Sequence, residues 1–247
     1  MEIRTFGVGG RMVECKRLLS DRLASAGGRL ILLPIPTARD DRYISTTTVE
    51  QADISAMLSG GDYLVGYSIP PGIVRAARRV NAFVYDAAFD EEFLCANAEL
   101  TARGCIGYLL TRAGRDLPDL TIGVVGYGRI GARLVRWLLN FVARVKVFTN
   151  RESVAIELGE MGVGAEIVGT VCDFTDIDIL INTAPAVQID EKQLRPDTRI
   201  IDLASGRIFE PSDRLTKLPS IPESYFPITA GRLYAEAIIR AIGGGKT

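Results

Sequence analysis

The run Gly126-Tyr127-Gly128-Arg129-Ile130-Gly131 has a spacing that suits the pyrophosphate of a dinucleotide. Gly126 would make a tight turn, Gly128 would let the backbone approach the ligand, and Gly131 would let a helix pack closely on a strand. The anion would be held at the helix N-terminus. Three glycines alone are weak evidence, because a purely structural turn can carry the same spacing. Their flanks strengthen the reading. An apolar run at residues 122–125 leads into the turn, Leu134, Leu138 and Leu139 follow at helical spacing, and a second apolar run occupies residues 145–148. The stretch therefore predicts strand, glycine turn, helix, strand.

The end of the second strand bears on which dinucleotide is bound. NAD sites usually place Asp or Glu there, where a carboxylate accepts from the ribose 2′-hydroxyl. Here the residues are Thr149, Asn150, Arg151, Glu152 and Ser153. A guanidinium with neighbouring amide and hydroxyl donors suits a phosphate dianion. NADP is expected over NAD, with Asn150, Arg151 and Ser153 on the 2′-phosphate. Two other readings stay open: Arg151 only begins the next loop, or Glu152 reaches a ribose.

Two later strands should end near the same turn. Residues 177–181 run into Asn182-Thr183-Ala184-Pro185-Ala186, and residues 198–203 into Asp202-Leu203-Ala204-Ser205-Gly206. In a doubly wound sheet the ligand lies beyond the carboxyl ends of the strands. Thr183, Ala184, Pro185 and Asp202 thus join the six residues of the turn as cofactor-site candidates. Asp202 is expected to bind a nearby backbone amide rather than to accept a proton.

The elements that position these residues alternate strand and helix along the chain, which implies an α/β fold with right-handed βαβ units on parallel sheets. Two Rossmann-like lobes with a hinged cleft are expected. Residues 1–95 would form an N-terminal α/β substrate lobe, 96–117 a linker helix, 118–228 the NADP-binding Rossmann domain, and 229–247 a C-terminal helix with Thr229 as N-cap. The early GVGG is expected to be a plain strand-to-helix turn. The terminal GGGKT lacks both the earlier glycine and the following helix of a phosphate loop.

Composition describes an ordinary globule: 247 residues, 47% hydrophobic, 24% charged, formal net charge −1. No basic stripe for nucleic acid is present, and Arg75, Arg78 and Arg79 are expected on a solvated helix face. No apolar run is long enough to span a bilayer, and MEIRTFGVGG lacks the layout of a signal peptide, so a cytoplasmic protein is expected, with no membrane partner. A homo-oligomer is also expected. Cys15, Cys95, Cys105 and Cys172 are scattered without a CxxC pair and should be reduced and mostly buried. The chain contains no histidine, which excludes a Cys/His zinc site, and no metal is expected. The missing histidine also removes the usual acid/base group of 2-hydroxy-acid dehydrogenases and of Ser-His-Asp hydrolases.

The segments VGYGRIG, VKVFTNRES, DILINTAPA, RIIDLAS and ITAGR, in this order and spacing, resemble the oxidoreductase-subunit family of dipicolinate synthase, NADP-dependent proteins of endospore-forming bacteria. Upstream, LPIPTARD resembles that family's first-lobe loop and NAELTARG its NxxPTxEG segment. The resemblance implies a two-lobed Rossmann protein of sporulation that oxidises a cyclic product of dihydrodipicolinate synthase to pyridine-2,6-dicarboxylate. It also implies a small, flavoprotein-like second subunit as partner. Formation of an aromatic pyridine is strongly downhill, so positioning a hydride donor against nicotinamide could suffice without a histidine.

A dicarboxylate substrate calls for guanidinium clamps and hydroxyl donors. Arg39, Arg42 and Arg207 are the substrate-binding candidates, and Ser205, Thr229 and Arg232 the catalytic ones; each arginine can equally be a solvated surface residue. Departures from the family pattern fall near the expected substrate cleft. Leu100 and Arg103 replace its proline and glutamate, residues 220–227 replace a glycine-proline loop, and only Gly206 remains of the glycines after DLAS. Glu223 or Tyr225 could replace the missing proton acceptor. Two rivals remain: a dehydrogenase of another small carboxylate, and a non-catalytic NADP-binding partner or sensor.

Overall fold

The computed structural model describes residues 1–38, 40–142, 144–169, 172–186, 189–204 and 209–244. The chain divides into two compact units: Met1–Asn97 with the chain from Pro222 onward, and Ala98–Ile221.

The first unit begins β1 (Glu2–Thr5), α1 (Gly10–Arg22), β2 (Arg29–Leu32), α2 (Gln51–Met57), β3 (Tyr63–Gly66), α3 (Pro71–Arg79) and β4 (Phe83–Asp86). The four strands form a parallel sheet in the order β1-β2-β3-β4. The central strands are buried on both faces, which is why they read as unbroken apolar runs. Leu30, Leu32 and Val65 pack with Met12, Cys15 and Leu19 of α1. Ile31, Leu33 and Leu64 pack on the other face with Ile54 of α2 and Ile73 and Ala77 of α3.

This arrangement corrects the expectation of uniformly right-handed crossovers. The steps β1 to β2 and β2 to β3 go the same way across the sheet, yet α1 and α2 lie on opposite faces. The two crossovers are therefore of opposite hand. Positive φ at Gly7 (114°) and Gly9 (110°) lets the chain turn into α1 on this face.

α4 (Glu91–Arg112) leads from the first unit into the second and begins at Glu91 rather than at residue 96, because the Asp90 carboxylate accepts from the Phe93 amide at 2.9 Å and stabilises an earlier start. The second unit then builds β5 (Thr121–Val125), α5 (Arg129–Leu138), β6 (Arg144–Thr149), α6 (Glu152–Glu160), β7 (Gly164–Ile167), β8 (Ile179–Asn182), β9 (Arg199–Asp202) and β10 (Leu215–Lys217). Its six strands are parallel in the order β10-β9-β8-β5-β6-β7. That is the doubly wound dinucleotide-binding order, and it reverses between β5 and β8. Val124, Leu134, Leu138, Val147 and Ile181 fill one side of this sheet. On the other, Phe148 stacks on Phe174 with ring centroids 4.3 Å apart. Leu139, expected on the buried stripe, lies past the end of α5 and is exposed.

After Ile221 the chain returns to the first unit through α7 (Ile221–Tyr225) and α8 (Pro227–Gly244). The C-terminal helix is thus no separate appendage. Ala235, Ala237 and Ile238 of α8 join the core of α1 and the sheet, and Gly231 lies so close to α1 that a Cβ there would stand 2.6 Å from the Arg11 carbonyl oxygen. α8 opens at Pro227, whose fixed φ suits a first helical turn; Thr229 lies inside the helix and is not its N-cap.

Candidate dinucleotide site

All five residues of β5 are buried, and the strand delivers the chain to Gly126 at the point where the strand order reverses. Gly126 has φ 89°, and its amide donates to the Phe148 carbonyl at 2.8 Å, so the turn is fastened to β6. A Cβ on Gly126 would stand 2.8 Å from that of Ala184. A Cβ on Gly131 would stand 2.1 Å from the Gly126 carbonyl oxygen, so any side chain there would drive α5 off the strand. Gly128 differs: a Cβ there would meet nothing within 4 Å. The three glycines thus divide into turn, open approach and close packing, the roles that a pyrophosphate cradle requires.

Gly128 is also the N-cap of α5, where no side chain caps the helix and no acidic residue lies in the first turn. The first amides of α5 are left without intrahelical acceptors, and the positive end of its dipole is not neutralised. Tyr127 and Ile130 are half-buried and Arg129 is exposed. An anion resting on the open side of Gly128 would meet donors and no repelling charge, so the residues fit a dinucleotide phosphate.

The tip of β8 is locked to this turn. The amide and the hydroxyl of Thr183 each donate to the Val125 carbonyl at 2.9 Å. Asn182 and Asp202, both buried, tie β8 to β9: the Asn182 amide nitrogen donates to Asp202 Oδ1 at 2.8 Å. Asp202 Oδ1 also accepts from the Ala204 amide at 3.2 Å, and Lys217 Nζ lies 3.5 Å from Oδ2. Asp202 is thereby engaged in holding strand ends together. Ala184 is half-buried and Pro185 exposed beside it.

At the end of β6, Thr149 is buried and its hydroxyl accepts from the Arg151 amide at 3.2 Å. Asn150, Arg151, Glu152 and Ser153 are exposed. The Arg151 guanidinium donates to the Tyr127 carbonyl, which brings its charge to the glycine turn. Arg151 has five N–H donors, so one bond to Tyr127 leaves others for a phosphate.

None of the remaining candidates is a described residue of this unit. Arg39, Ser205 and Arg207 lie outside the described residues. Arg42 pairs with Glu50 Oε1 at 2.9 and 2.6 Å and lies over the Tyr43 ring, so its charge is compensated within an exposed loop of the first unit. Thr229 and Arg232 are exposed on α8, also in the first unit, where Arg232 borders a groove with Arg22, Glu236 and Arg240. Arg103, in place of the glutamate of the resembled pattern, pairs with Glu99 at 3.0 Å and lies over the Trp137 ring. Trp137 Nε1 donates to the same Glu99 at 2.9 Å, so this corner braces α4 against α5.

None of the four cysteines takes part in a disulfide. Burial pushes the Cys15 and Cys105 thiols up, Cys105 to about 12, which leaves both as inert core residues. Sequence reasoning missed Arg11, which is buried. Its only sequence signal is its place directly after the glycines of the first turn. No helix among the described residues is long and apolar enough to cross a membrane.

No protein-family model matches the sequence, and a search of curated proteins finds no match. Solved structures do match. A dipicolinate synthase subunit from Bacillus halodurans is similar at TM-score 0.78 and 19% identity, over 97% of this chain and 96% of that one. The corresponding chain of dipicolinate synthase from Bacillus subtilis gives 0.76 and 18%, over 99% and 96%. The transhydrogenase from Sinorhizobium meliloti gives 0.65 and 16%, over 99% and 94%. The fold expected from the resemblance of motifs is the fold found: this chain shares, over nearly its whole length, the architecture of these dipicolinate synthase chains.

Proposed function

We propose that the protein is an NADP-dependent oxidoreductase that acts as the oxidoreductase subunit of dipicolinate synthase, oxidising the cyclic product of dihydrodipicolinate synthase to pyridine-2,6-dicarboxylate. One observation carries the cofactor half of this reading. At the reversal of a doubly wound sheet, an open glycine N-cap faces no acidic residue of its helix, and the cation of Arg151 reaches the same turn. The shared fold supports the substrate half.

In this reading α5 and Gly128 hold the pyrophosphate, and Arg151 with Asn150 and Ser153 holds the 2′-phosphate. The tip Thr183-Ala184-Pro185 and the Asn182–Asp202 bond keep the ends of β8 and β9 fixed beside the cofactor. When bound, the nicotinamide supplies the hydride acceptor. The chain's own task is to orient: buried strand ends and a helix seated without a side chain at Gly131 hold their positions without reorganisation during the reaction. A flavoprotein-like second subunit and self-association belong to the same proposal.

Purified protein, with and without that second subunit, given NADP and freshly generated dihydrodipicolinate synthase product, should reduce the cofactor and form pyridine-2,6-dicarboxylate. Formation of product only in the presence of the flavoprotein-like partner would make that partner obligatory. The engagement of Arg103 with Glu99 and Trp137 favours a second reading, an NADP-binding partner without turnover, since no free carboxylate stands at that position. Tight NADP binding with no reduction in either assay would select it.

A further inference from the structure

The first unit has its own glycine turn between strand and helix, and beside it stands a buried cation. α1 follows β1 through Gly7-Val8-Gly9-Gly10, and its N-cap, Gly9, provides no side-chain cap. No acidic residue lies in the first turn of this 13-residue helix, so no side chain of its own first turn neutralises the leading amides and the positive dipole end. One residue into the helix, Arg11 is 4% exposed and its Nε has no hydrogen-bond partner. A buried guanidinium nitrogen without a partner is costly, and burial acts against the charge of Arg11 while Glu223 opposes that effect.

Glu223, on α7, is the strongest charge acting on Arg11, yet among the described residues no hydrogen bond or ion pair joins the two side chains. Its carboxylate rests on the turn instead: Oε1 stands 1.9 Å from where a Cβ of Gly9 would be, a position only glycine leaves free. Gly10 is equally constrained, since a Cβ there would stand 2.7 Å from that of Pro227. A carboxylate of the chain itself thus occupies the end of α1, near a guanidinium whose Nε is unpartnered.

We propose that Gly9, Gly10 and Arg11 form a carboxylate-binding subsite of the first unit, which Glu223 fills in the free protein and vacates for a ligand carboxylate. The planar fork of an arginine and the amides of a helix N-terminus both match a carboxylate, and a ligand reaching Arg11 would gain the hydrogen bonds that Glu223 does not make. The ligand class is a small organic acid. The subsite lies wholly in the first unit and does not depend on the dinucleotide turn; only the choice of an aromatic dicarboxylate as probe rests on the proposed function.

The test is calorimetric titration of the full chain, without cofactor, using pyridine-2,6-dicarboxylate and, in parallel, benzoate. Glu223→Gln should bind a probe at least about fivefold more tightly, because the internal competitor loses its charge. Arg11→Met should bind at least about tenfold more weakly, while melting at the same temperature or higher, since a buried cation has been removed. A purely structural contact predicts the reverse, with both variants less stable and affinity unchanged, and would overturn the subsite. Should Arg11→Met fail to fold, Glu223→Gln decides alone: tighter binding supports the subsite, equal or weaker binding of both probes refutes it. Benzoate responding without the dicarboxylate would retain the subsite and leave the substrate proposed above to the cofactor-reduction assay. If neither probe responds, the subsite falls, and the cofactor-reduction assay still judges the function.

Discussion

The guanidinium of Arg151, at the head of α6, donates to the main-chain carbonyl of Tyr127 inside the glycine turn. The two ends of one strand-helix-strand unit, 24 residues apart, thus place a cation at the edge of the candidate dinucleotide cradle, where a 2′-phosphate would meet it. Arg151→Ala should weaken NADP by about 10- to 100-fold, the scale of a lost charge-assisted hydrogen bond. NAD, which has a hydroxyl in that place, should weaken by less than about threefold. Fluorescence titration of both cofactors checks this, and equal losses would remove Arg151 from the phosphate site.

Gly128 and Gly131 should fail in different ways when enlarged. A Cβ at Gly128 meets nothing within 4 Å, whereas one at Gly131 would stand 2.1 Å from the Gly126 carbonyl oxygen. Gly128→Val should fold with near-native melting and bind neither cofactor, because its side chain fills the approach to the pyrophosphate. Gly131→Val should lose about 3 kcal/mol or more of stability by overpacking. Thermal melts with cofactor titrations separate the two. Retained binding in Gly128→Val would mean that the open face is not the site.

Asp202 should prove to be a positioning residue. Its carboxylate takes the Asn182 side chain at 2.8 Å and the Ala204 amide at 3.2 Å within a buried strand end. Asp202→Ala orphans the Asn182 amide, at a cost of about 1–3 kcal/mol. It should raise the Michaelis constant for NADP and lower turnover together, with an unchanged pH profile. A profile that loses an ionisation would instead make Asp202 a proton acceptor.

The two sites differ in how far the sequence discloses them. The glycine turn is legible because each requirement is local: apolar strand, glycine spacing, helical periodicity and Arg151 follow one another within 121–151. β10 is not, since Leu215-Thr216-Lys217 is too short to carry a period and gains its conformation by pairing with β9. The early part of α4 is hidden because its turns enter different cores, Phe93 in that of the first unit and Ala102, Cys105 and Ile106 in that of the second. No single apolar stripe marks such a helix. Arg11 looks like any solvated arginine until tertiary packing of α8 encloses it, and Thr229 reads as a cap only until Pro227 is seen to begin the helix.

The cofactor sheet should weaken in acid through one carboxylate at its base. Asp178 accepts from the Thr121 amide at 2.9 Å, Arg115 at 2.8 Å and Arg195 at 3.2 Å, joining the start of β5 to the strand beside it. Burial pushes its carboxyl up, but the Thr121 amide and the two guanidinium groups outweigh this and hold it below the usual carboxylate range. With the folded value depressed, its contribution is fully present above the unfolded value, about pH 4, and is lost as pH falls through the folded value. Asp178→Asn keeps the shape, removes the charge, and should cost about 2 kcal/mol at neutral pH. Urea unfolding at neutral and acid pH should show the gap between the two proteins closing as pH falls below about 4. A gap that stays constant into acid would mean that Asp178 acts through packing rather than through its charge.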